Sequence, residues 1–135
     1  AAMKRVTDME RIGDQAADIA ELTIMMADSP YLLNVEHIKK MSAETVMMLM
    51  QAVQAYVERD MKKAQEVIEH DDIVDELFVK VKTDLIEVMR NNADYAEHAA
   101  DLLMVNKYLE RIGDHATNIA EWVIFSIDDH VNEKA

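Results

Sequence analysis

The sequence contains no cysteine, and of its 135 residues only two are glycine and one is proline. The absence of cysteine excludes disulfides, thiolate metal sites and a cysteine nucleophile. The shortage of glycine and proline argues against β-rich folds, which need turn residues roughly every ten positions. Since 50% of the residues are hydrophobic, the chain has enough apolar material for a core, and the composition predicts an all-α protein.

Basic residues are also scarce. The chain has 14 Lys and Arg against 27 Asp and Glu, which gives a formal net charge of −13 at pH 7. A protein of this charge lacks the cationic surface that nucleic acids and anionic membranes attract, so neither is an expected partner. The sequence contains no run of about 18 apolar residues, the length that a membrane-spanning helix needs. Residues 1–14 also lack the apolar stretch of a secretory signal. The composition suits a cytoplasmic protein that binds cations or basic protein surfaces.

Apolar residues recur every three or four positions and predict four long helical segments. The sequence Asp28-Ser29-Pro30 ends the first segment, and Asp94 followed by Glu97 has the pattern of a capping box at the start of the fourth. The segments run from about Met3 to Ala27, Asn34 to Glu58, Asp60 to Arg90 and Asp94 to Ile127. Long helices with short connections pack as neighbours, so the sequence predicts an antiparallel helical bundle.

A twelve-residue motif occurs twice in the chain. Residues 10–21 read ERIGDQAADIAE and residues 110–121 read ERIGDHATNIAE, so nine of the twelve positions are identical at an offset of 100 residues. Each copy has a glycine inside a helix, where glycine costs about 1 kcal/mol relative to alanine. We interpret Gly13 and Gly113 as positions where a neighbouring helix packs closely against the backbone.

The offset implies a repeating unit of about 100 residues. The second motif closes a set of three helical segments, whereas the first motif lies on the first segment, which no such set precedes. The sequence therefore predicts the last helix of a truncated repeat at 1–28 and a complete three-helix repeat at 29–135. The apolar face of the first segment is expected to pack on the other three segments or on another chain, as in a homodimer.

Carboxylates recur one helical turn apart. Glu10 with Asp14, Asp71 with Asp75, and Glu110 with Asp114 all share this spacing. Two such carboxylates lie about 6 Å apart and repel each other, and a bound cation would reverse that repulsion. Oxygen ligands suit Mg²⁺, Mn²⁺ or Ca²⁺, and iron or zinc would also be feasible with help from imidazole. The alternative is a solvated acidic face that binds nothing.

Motifs of common enzymes are absent from the sequence. It has no Gly-rich phosphate loop, no nucleophile elbow and no H-E-x-x-H motif. The five histidines lack the spacing of di-iron bundles and are expected to be exposed or to cap helices. We therefore expect no enzyme activity. Two alternatives stay open, a di-metal carboxylate enzyme with a water-excluding pocket and a structural bundle with an inert acidic surface.

The motif ERIGDHATNIAE, the upstream sequence HDDIVDELF and the acidic helical character resemble the PhoU family of phosphate-uptake regulators. The resemblance covers essentially the whole chain. It implies a tandem pair of three-helix bundles, in which the first segment is the third helix of the first bundle. The other three segments then form the second bundle.

The resemblance also implies a function. It is that of a cytoplasmic negative regulator of phosphate-starvation signalling, acting between the ATPase subunit of the phosphate ABC transporter and a sensor histidine kinase. It further implies clusters of iron or zinc on E/D-x-x-x-D motifs, while the oxygen ligands themselves also leave manganese or magnesium open. One site would use Asp71, Asp75, Glu110 and Asp114. The other would keep only Glu10 and Asp14, because its partner helix is missing.

Overall fold

In the computed structural model, the described residues are 36–134, with side chains as far as Ile127, together with Glu10, Asp14 and Ala17. Three long helices account for most of 36–134: α1 at Glu36–Glu58, α2 at Met61–Asn91 and α3 at Ala96–Lys134, preceded by a 3₁₀ turn at Ala93–Tyr95. These residues include no strand, so the all-α prediction is confirmed for the described part. The first predicted segment and its domain, 1–28, lie outside the described part of the chain. The exceptions are Glu10, Asp14 and Ala17, which are helical.

The turn between α1 and α2 explains why they are antiparallel with almost no linker. Arg59 has a φ of 56°, the left-handed conformation that commonly follows the end of a helix. The Asp60 amide donates to the Ala55 carbonyl oxygen at 3.0 Å, and the Asp60 side chain accepts from the Lys63 amide at 3.1 Å. Asp60 is thus the N-cap of α2, in agreement with the predicted start of the third segment.

The junction between α2 and α3 differs from the prediction. Asn92 ends α2 by donating its amide to the Val88 carbonyl oxygen at 3.0 Å, and its side chain accepts from the Asp94 amide at 3.1 Å. The capping residue is therefore Asn92 and the prediction of Asp94 is wrong, because asparagine readily bonds the amide two residues ahead. The helix α3 also continues to Lys134, beyond the predicted end at Ile127.

The core lies where the apolar faces of the three helices meet. Buried residues of α3 are Ala99, Leu102, Val105, Leu109, Ile112, Ala116, Ile119, Ala120 and Val123, which confirms the predicted spacing. Met41 and Met48 of α1 are fully buried. None of the helices in the described part is both long and apolar enough to cross a bilayer.

Two contacts between α2 and α3 show how these helices run relative to each other. Asn106 of α3 is buried and donates from Nδ2 to the Phe78 carbonyl oxygen of α2 at 3.1 Å, while Gly113 lies against Val74. Residue numbers thus rise along α2 as they fall along α3, so this pair is antiparallel. The helix α1 packs against both. As a result, residues 71–75 and 110–114 lie at the same level of the bundle.

Gly113 is buried where α3 meets α2. A Cβ atom there would lie 3.5 Å from Val74 Cγ1, which is an ordinary contact, so the neighbour is close but alanine also fits. We predict that Gly113→Ala raises the free energy of unfolding by about 0.5–1 kcal/mol, because alanine is the better helix former. Urea unfolding of both proteins measures this difference. A loss of stability would mean that the two helices are closer than the structure shows.

Candidate functional site

Two pairs of carboxylates face each other across the junction of α2 and α3. Asp71 and Asp75 lie one turn apart on α2, and Glu110 and Asp114 lie one turn apart on α3. Asp71 is close enough to Asp114, and Asp75 to Glu110, for their charges to interact. All four side chains are exposed or half-buried. The structure thus brings these four residues together at the solvent-facing edge of the helix pair, and we call them the acidic cluster.

The pKa of Asp71, the first carboxylate of the acidic cluster, is raised above its ordinary value. Burial is the largest cause that raises the pKa of Asp71, followed by the negative charges of Asp75 and Asp114 and, more weakly, of Asp72. The Thr117 hydroxyl opposes the rise by hydrogen bonding. The same hydroxyl donates to the Gly113 carbonyl oxygen at 3.0 Å, and one proton serves one acceptor at a time, so this opposition is incomplete.

Two further carboxylates show the same effect. Burial raises the pKa of Asp75, and the charges of Glu110 and Asp72 add to the rise. Burial likewise raises the pKa of Asp114, with Glu110 and Asp75 acting in the same direction. The negative carboxylates of each helix therefore disfavour ionisation of the carboxylates on the other helix. Burial and mutual repulsion thus act in the same direction on all three carboxylates.

The raised pKa of Asp114, caused first by burial and then by repulsion, makes stability depend on pH. Because the pKa of Asp114 is higher in the folded than in the unfolded chain, the folded state takes up a proton first, and stability falls as pH rises through the raised value. We predict that Asp114→Asn raises the free energy of unfolding at pH 7 by less than about 1 kcal/mol, since solvent screens exposed groups. The gain should disappear below the unfolded pKa. Urea unfolding at pH 3 and pH 7 measures it.

The control for this prediction is Asp101→Asn, which removes an exposed carboxylate on the same helix. We expect it to change stability at pH 7 less than Asp114→Asn does. A gain that is equal at both pH values, or equal in the two variants, would contradict the assignment of the effect to the burial and repulsion of Asp114 within the acidic cluster.

A lysine that the sequence reasoning did not single out also borders the acidic cluster. Lys107 Nζ lies 3.2 Å from Glu110 Oε1 and 5.7 Å from the centroid of the Phe78 ring. Its charge is one of two influences that lower the pKa of Asp114, against the larger effect of burial. The Lys107 side chain is 56% exposed, so the pair contributes little to stability. Its spacing of three residues from Glu110 is a signal that the sequence already contained.

The donor chemistry of the acidic cluster suits a hard cation. Carboxylate oxygens are the ligands that Mg²⁺, Mn²⁺ and Ca²⁺ prefer, and a dication would offset the repulsion that, after burial, helps to raise the three pKa values. Within residues 36–127, however, no three His, Asp or Glu side chains are placed so that they could hold one ion together. Binding would therefore require rotation of side chains, which is fast for exposed residues.

Two histidines take part in contacts that the sequence did not predict. His37 of α1 pairs with Asp84 of α2, and His70 of α2 pairs with Glu44 of α1. His37 is exposed as expected, but both residues connect two helices instead of ending one. Their partners lie 47 and 26 residues away in the chain, a proximity that only the fold creates. These pairs join α1 to α2.

The second predicted site is described only in part. Glu10 and Asp14 are helical and exposed, as a solvent-facing pair requires. The neighbouring residues of the first motif lie outside the described part of the chain, and so does Gly13. The structure therefore does not place Glu10 and Asp14 beside a partner pair.

Two cavities in the described part lie away from the acidic cluster. One of about 500 Å³ is lined by residues at the start of α1 and the end of α2, including His37 and Asp84. The other, of about 310 Å³, lies beside Tyr56 and Trp122, whose ring centroids are 5.5 Å apart. The acidic cluster lines neither of them, and its four side chains are exposed or half-buried.

Comparison with known proteins identifies similar chains. A family model described as the PhoU domain matches residues 38–123, a range that includes the acidic cluster. A phosphate-specific transport system accessory protein PhoU homolog of Clostridium acetobutylicum is 38% identical over 125 residues, which are 93% of this chain and 57% of that protein. A phosphate-specific transport system accessory protein PhoU homolog 1 of Thermotoga maritima is 32% identical over 124 residues, which are 91% of this chain and 53% of that protein.

A solved structure shares the fold. The crystal structure of PhoU from Pseudomonas aeruginosa matches this chain with a TM-score of 0.85 and 28% sequence identity, and the match covers 93% of this chain and 61% of that one. The chain thus spans little more than half the length of the proteins that it matches.

Proposed function

Since the chain belongs to the PhoU family, we propose that it takes part in the regulation of phosphate transport. The family consists of regulatory accessory proteins and not of enzymes, in agreement with the family and the non-catalytic role predicted from the sequence. The similar proteins are named as accessory proteins of the phosphate-specific transport system, and this name supports the same system for this chain.

The proposed role is that of a cytoplasmic adaptor. The chain would bind the ATPase subunit of the phosphate ABC transporter and a sensor histidine kinase, and it would restrain phosphate uptake and starvation signalling. The observation that supports this most is the open acidic surface: four clustered carboxylates on a chain of net charge −13. Such a surface attracts basic patches on partner proteins, and electrostatic complementarity selects partners and speeds their association.

The same carboxylates are the proposed metal ligands. Asp71 and Asp75 from α2 and Glu110 and Asp114 from α3 would hold iron or zinc, with manganese or magnesium as alternatives. A bound dication would neutralise part of the surface charge and would fix the two helices at this level. The metal would thereby change how strongly a basic partner binds. Glu10 and Asp14 would form part of an equivalent site if another helix supplied a second pair of carboxylates.

The adaptor role predicts selective capture. In a pull-down from purified components, the chain is expected to retain the transporter ATPase and the sensor kinase, and Asp75→Lys is expected to weaken retention about tenfold or more. Loss of complementary charge slows association and lowers affinity, and the effect should shrink at high salt. Glu97→Lys makes the same change of charge at an exposed position of α3 outside the cluster.

The matched variant separates local from general electrostatics. Equal weakening by Asp75→Lys and Glu97→Lys would mean that net charge, and not the acidic cluster, attracts the partners. Retention of neither partner by the unmutated chain would refute the adaptor role.

A further inference from the structure

The smaller of the two cavities lies between the end of α1 and the second half of α3. Its volume is about 310 Å³, and its lining residues are Tyr56, Val57, Arg59, Trp122, Val123 and Ser126. They supply two aromatic rings, two apolar side chains, one guanidinium group and one hydroxyl. Apolar and aromatic walls with a few polar groups are typical of small-molecule sites. We call this site the Trp122 cavity.

Two aromatic rings of the Trp122 cavity are held in place by the core. The ring centroids of Tyr56 and Trp122 are 5.5 Å apart, and the ring planes are tilted by 34°. Both side chains are half-buried and pack against the hydrophobic core, so the rings are positioned before a ligand arrives. Aromatic side chains bind flat π-systems such as nucleobases by stacking. The rings therefore favour a ligand with a planar aromatic group.

Arg59 adds a positive charge that no described residue neutralises. It lies in the turn between α1 and α2 with a φ of 56°, a conformation that is uncommon for residues other than glycine. The neighbouring Glu58 pairs with Lys63 at 3.0 Å, and no described residue forms an ion pair with Arg59. A guanidinium group offers a planar fork of donors that matches the oxygen atoms of phosphate. Arg59 therefore favours a ligand that carries a phosphate.

The local charge is compatible with an anion, although the net charge of the chain is −13. Residues 59–63 read RDMKK, which is three basic residues against one acidic residue. Asp114 of the acidic cluster is eight residues from Trp122, or about 12 Å along α3. This separation exceeds the Debye length of about 8 Å at physiological salt. Repulsion from the acidic cluster is therefore largely screened at the Trp122 cavity.

We propose that the Trp122 cavity binds a mononucleotide. The base stacks on Tyr56 and Trp122, and the phosphate accepts hydrogen bonds from the Arg59 guanidinium. The Ser126 hydroxyl donates to the Val123 carbonyl oxygen at 3.0 Å, so its oxygen atom accepts a bond from an amino or hydroxyl group of the ligand. A mononucleotide brings one phosphate and avoids the repulsion that the chain exerts on a nucleic acid. The proposal does not depend on the proposed role in phosphate transport.

Fluorescence titration tests the site directly, because Trp122 is the only tryptophan of the chain. We expect adenosine monophosphate to quench its emission in a saturable way at constant ionic strength. Adenosine lacks the phosphate and ribose phosphate lacks the base, so each is expected to bind at least about tenfold more weakly. Calorimetric titration with the same three compounds gives the affinities independently of fluorescence.

Matched arginine variants test the phosphate contact. Arg59→Gln is expected to weaken binding of adenosine monophosphate at least about tenfold and to change adenosine binding by less than about twofold, because adenosine has no phosphate for Arg59 to bind. Arg90→Gln makes the same change at an exposed position near the end of α2 and should bind both compounds like the unmutated chain. Circular dichroism confirms that each variant is folded.

Three results would overturn the proposal. The first is that adenosine monophosphate at millimolar concentration produces neither quenching nor heat. The second is that adenosine binds as tightly as adenosine monophosphate. The third is that Arg59→Gln and Arg90→Gln lose affinity for adenosine monophosphate equally, since general electrostatics and not the Trp122 cavity would then attract it.

Discussion

Addition of Mn²⁺, Fe²⁺ or Zn²⁺ is expected to raise the melting temperature of the chain. The four carboxylates of the acidic cluster come together only when α2 packs on α3, so a cation bound there stabilises the folded state selectively. At a free metal concentration of one hundred times Kd, the stabilisation is about 2.7 kcal/mol, or roughly 10 °C for a domain of this size. Scanning calorimetry before and after chelation measures the rise and its reversal.

The double variant Asp71→Asn/Asp114→Asn is expected to lose this metal-dependent rise. Without metal it should melt at or slightly above the temperature of the parent, because the substitutions remove repulsion between α2 and α3. Glu97 and Asp101 have the same one-turn spacing and are exposed on α3, so Glu97→Gln/Asp101→Asn is the matched control and should keep the full rise. An equal rise in all three proteins would place the metal elsewhere.

Replacement of one core residue is expected to have the largest effect on the fold itself. Ile119 is 0% exposed and belongs to the hydrophobic core. Ile119→Ala should lower the free energy of unfolding by about 2–5 kcal/mol, because it removes buried methyl groups and leaves a cavity that the helices fill only partly. Urea unfolding, with the slope m compared between proteins, gives the difference.

The control for this substitution is Val79→Ala. Val79 is 60% exposed on α2, so its truncation should change stability by no more than about 0.5 kcal/mol. A cost below about 1 kcal/mol for Ile119→Ala would contradict the close packing of α3 in the core.

The three helices at 36–134 were predictable because their signals are local. Apolar residues repeat every three or four positions along α3, and the residues from Leu102 to Val123 that follow this spacing are buried. The cap at Asp60 was also predictable, since aspartate stood directly before the apolar pattern. The error at Asp94 arose because two capping residues compete two positions apart. Asn92 prevails because it can end α2 and start the next turn at the same time.

The sequence predicted the two carboxylate pairs of the candidate site, but the residues alone did not predict that the pairs face each other. The spacing of Asp71 from Asp75 and of Glu110 from Asp114 puts each pair on one side of a helix. That the pairs face each other came from the resemblance to a family, because spacing along one helix carries no information about its neighbour. The links from His37 to Asp84 and from His70 to Glu44 were missed for the same reason.

An anomalous-difference map from crystals grown with Mn²⁺ or Zn²⁺ tests the central claim most directly, namely that two helices present their carboxylates to a common cation at the surface of the bundle. We predict a peak between Asp71 and Asp75 on one side and Glu110 and Asp114 on the other, with oxygen atoms of both helices about 2.0–2.2 Å from a Zn²⁺ ion. A fully occupied metal bound only elsewhere on the chain, or crystals that take up no metal, would contradict it.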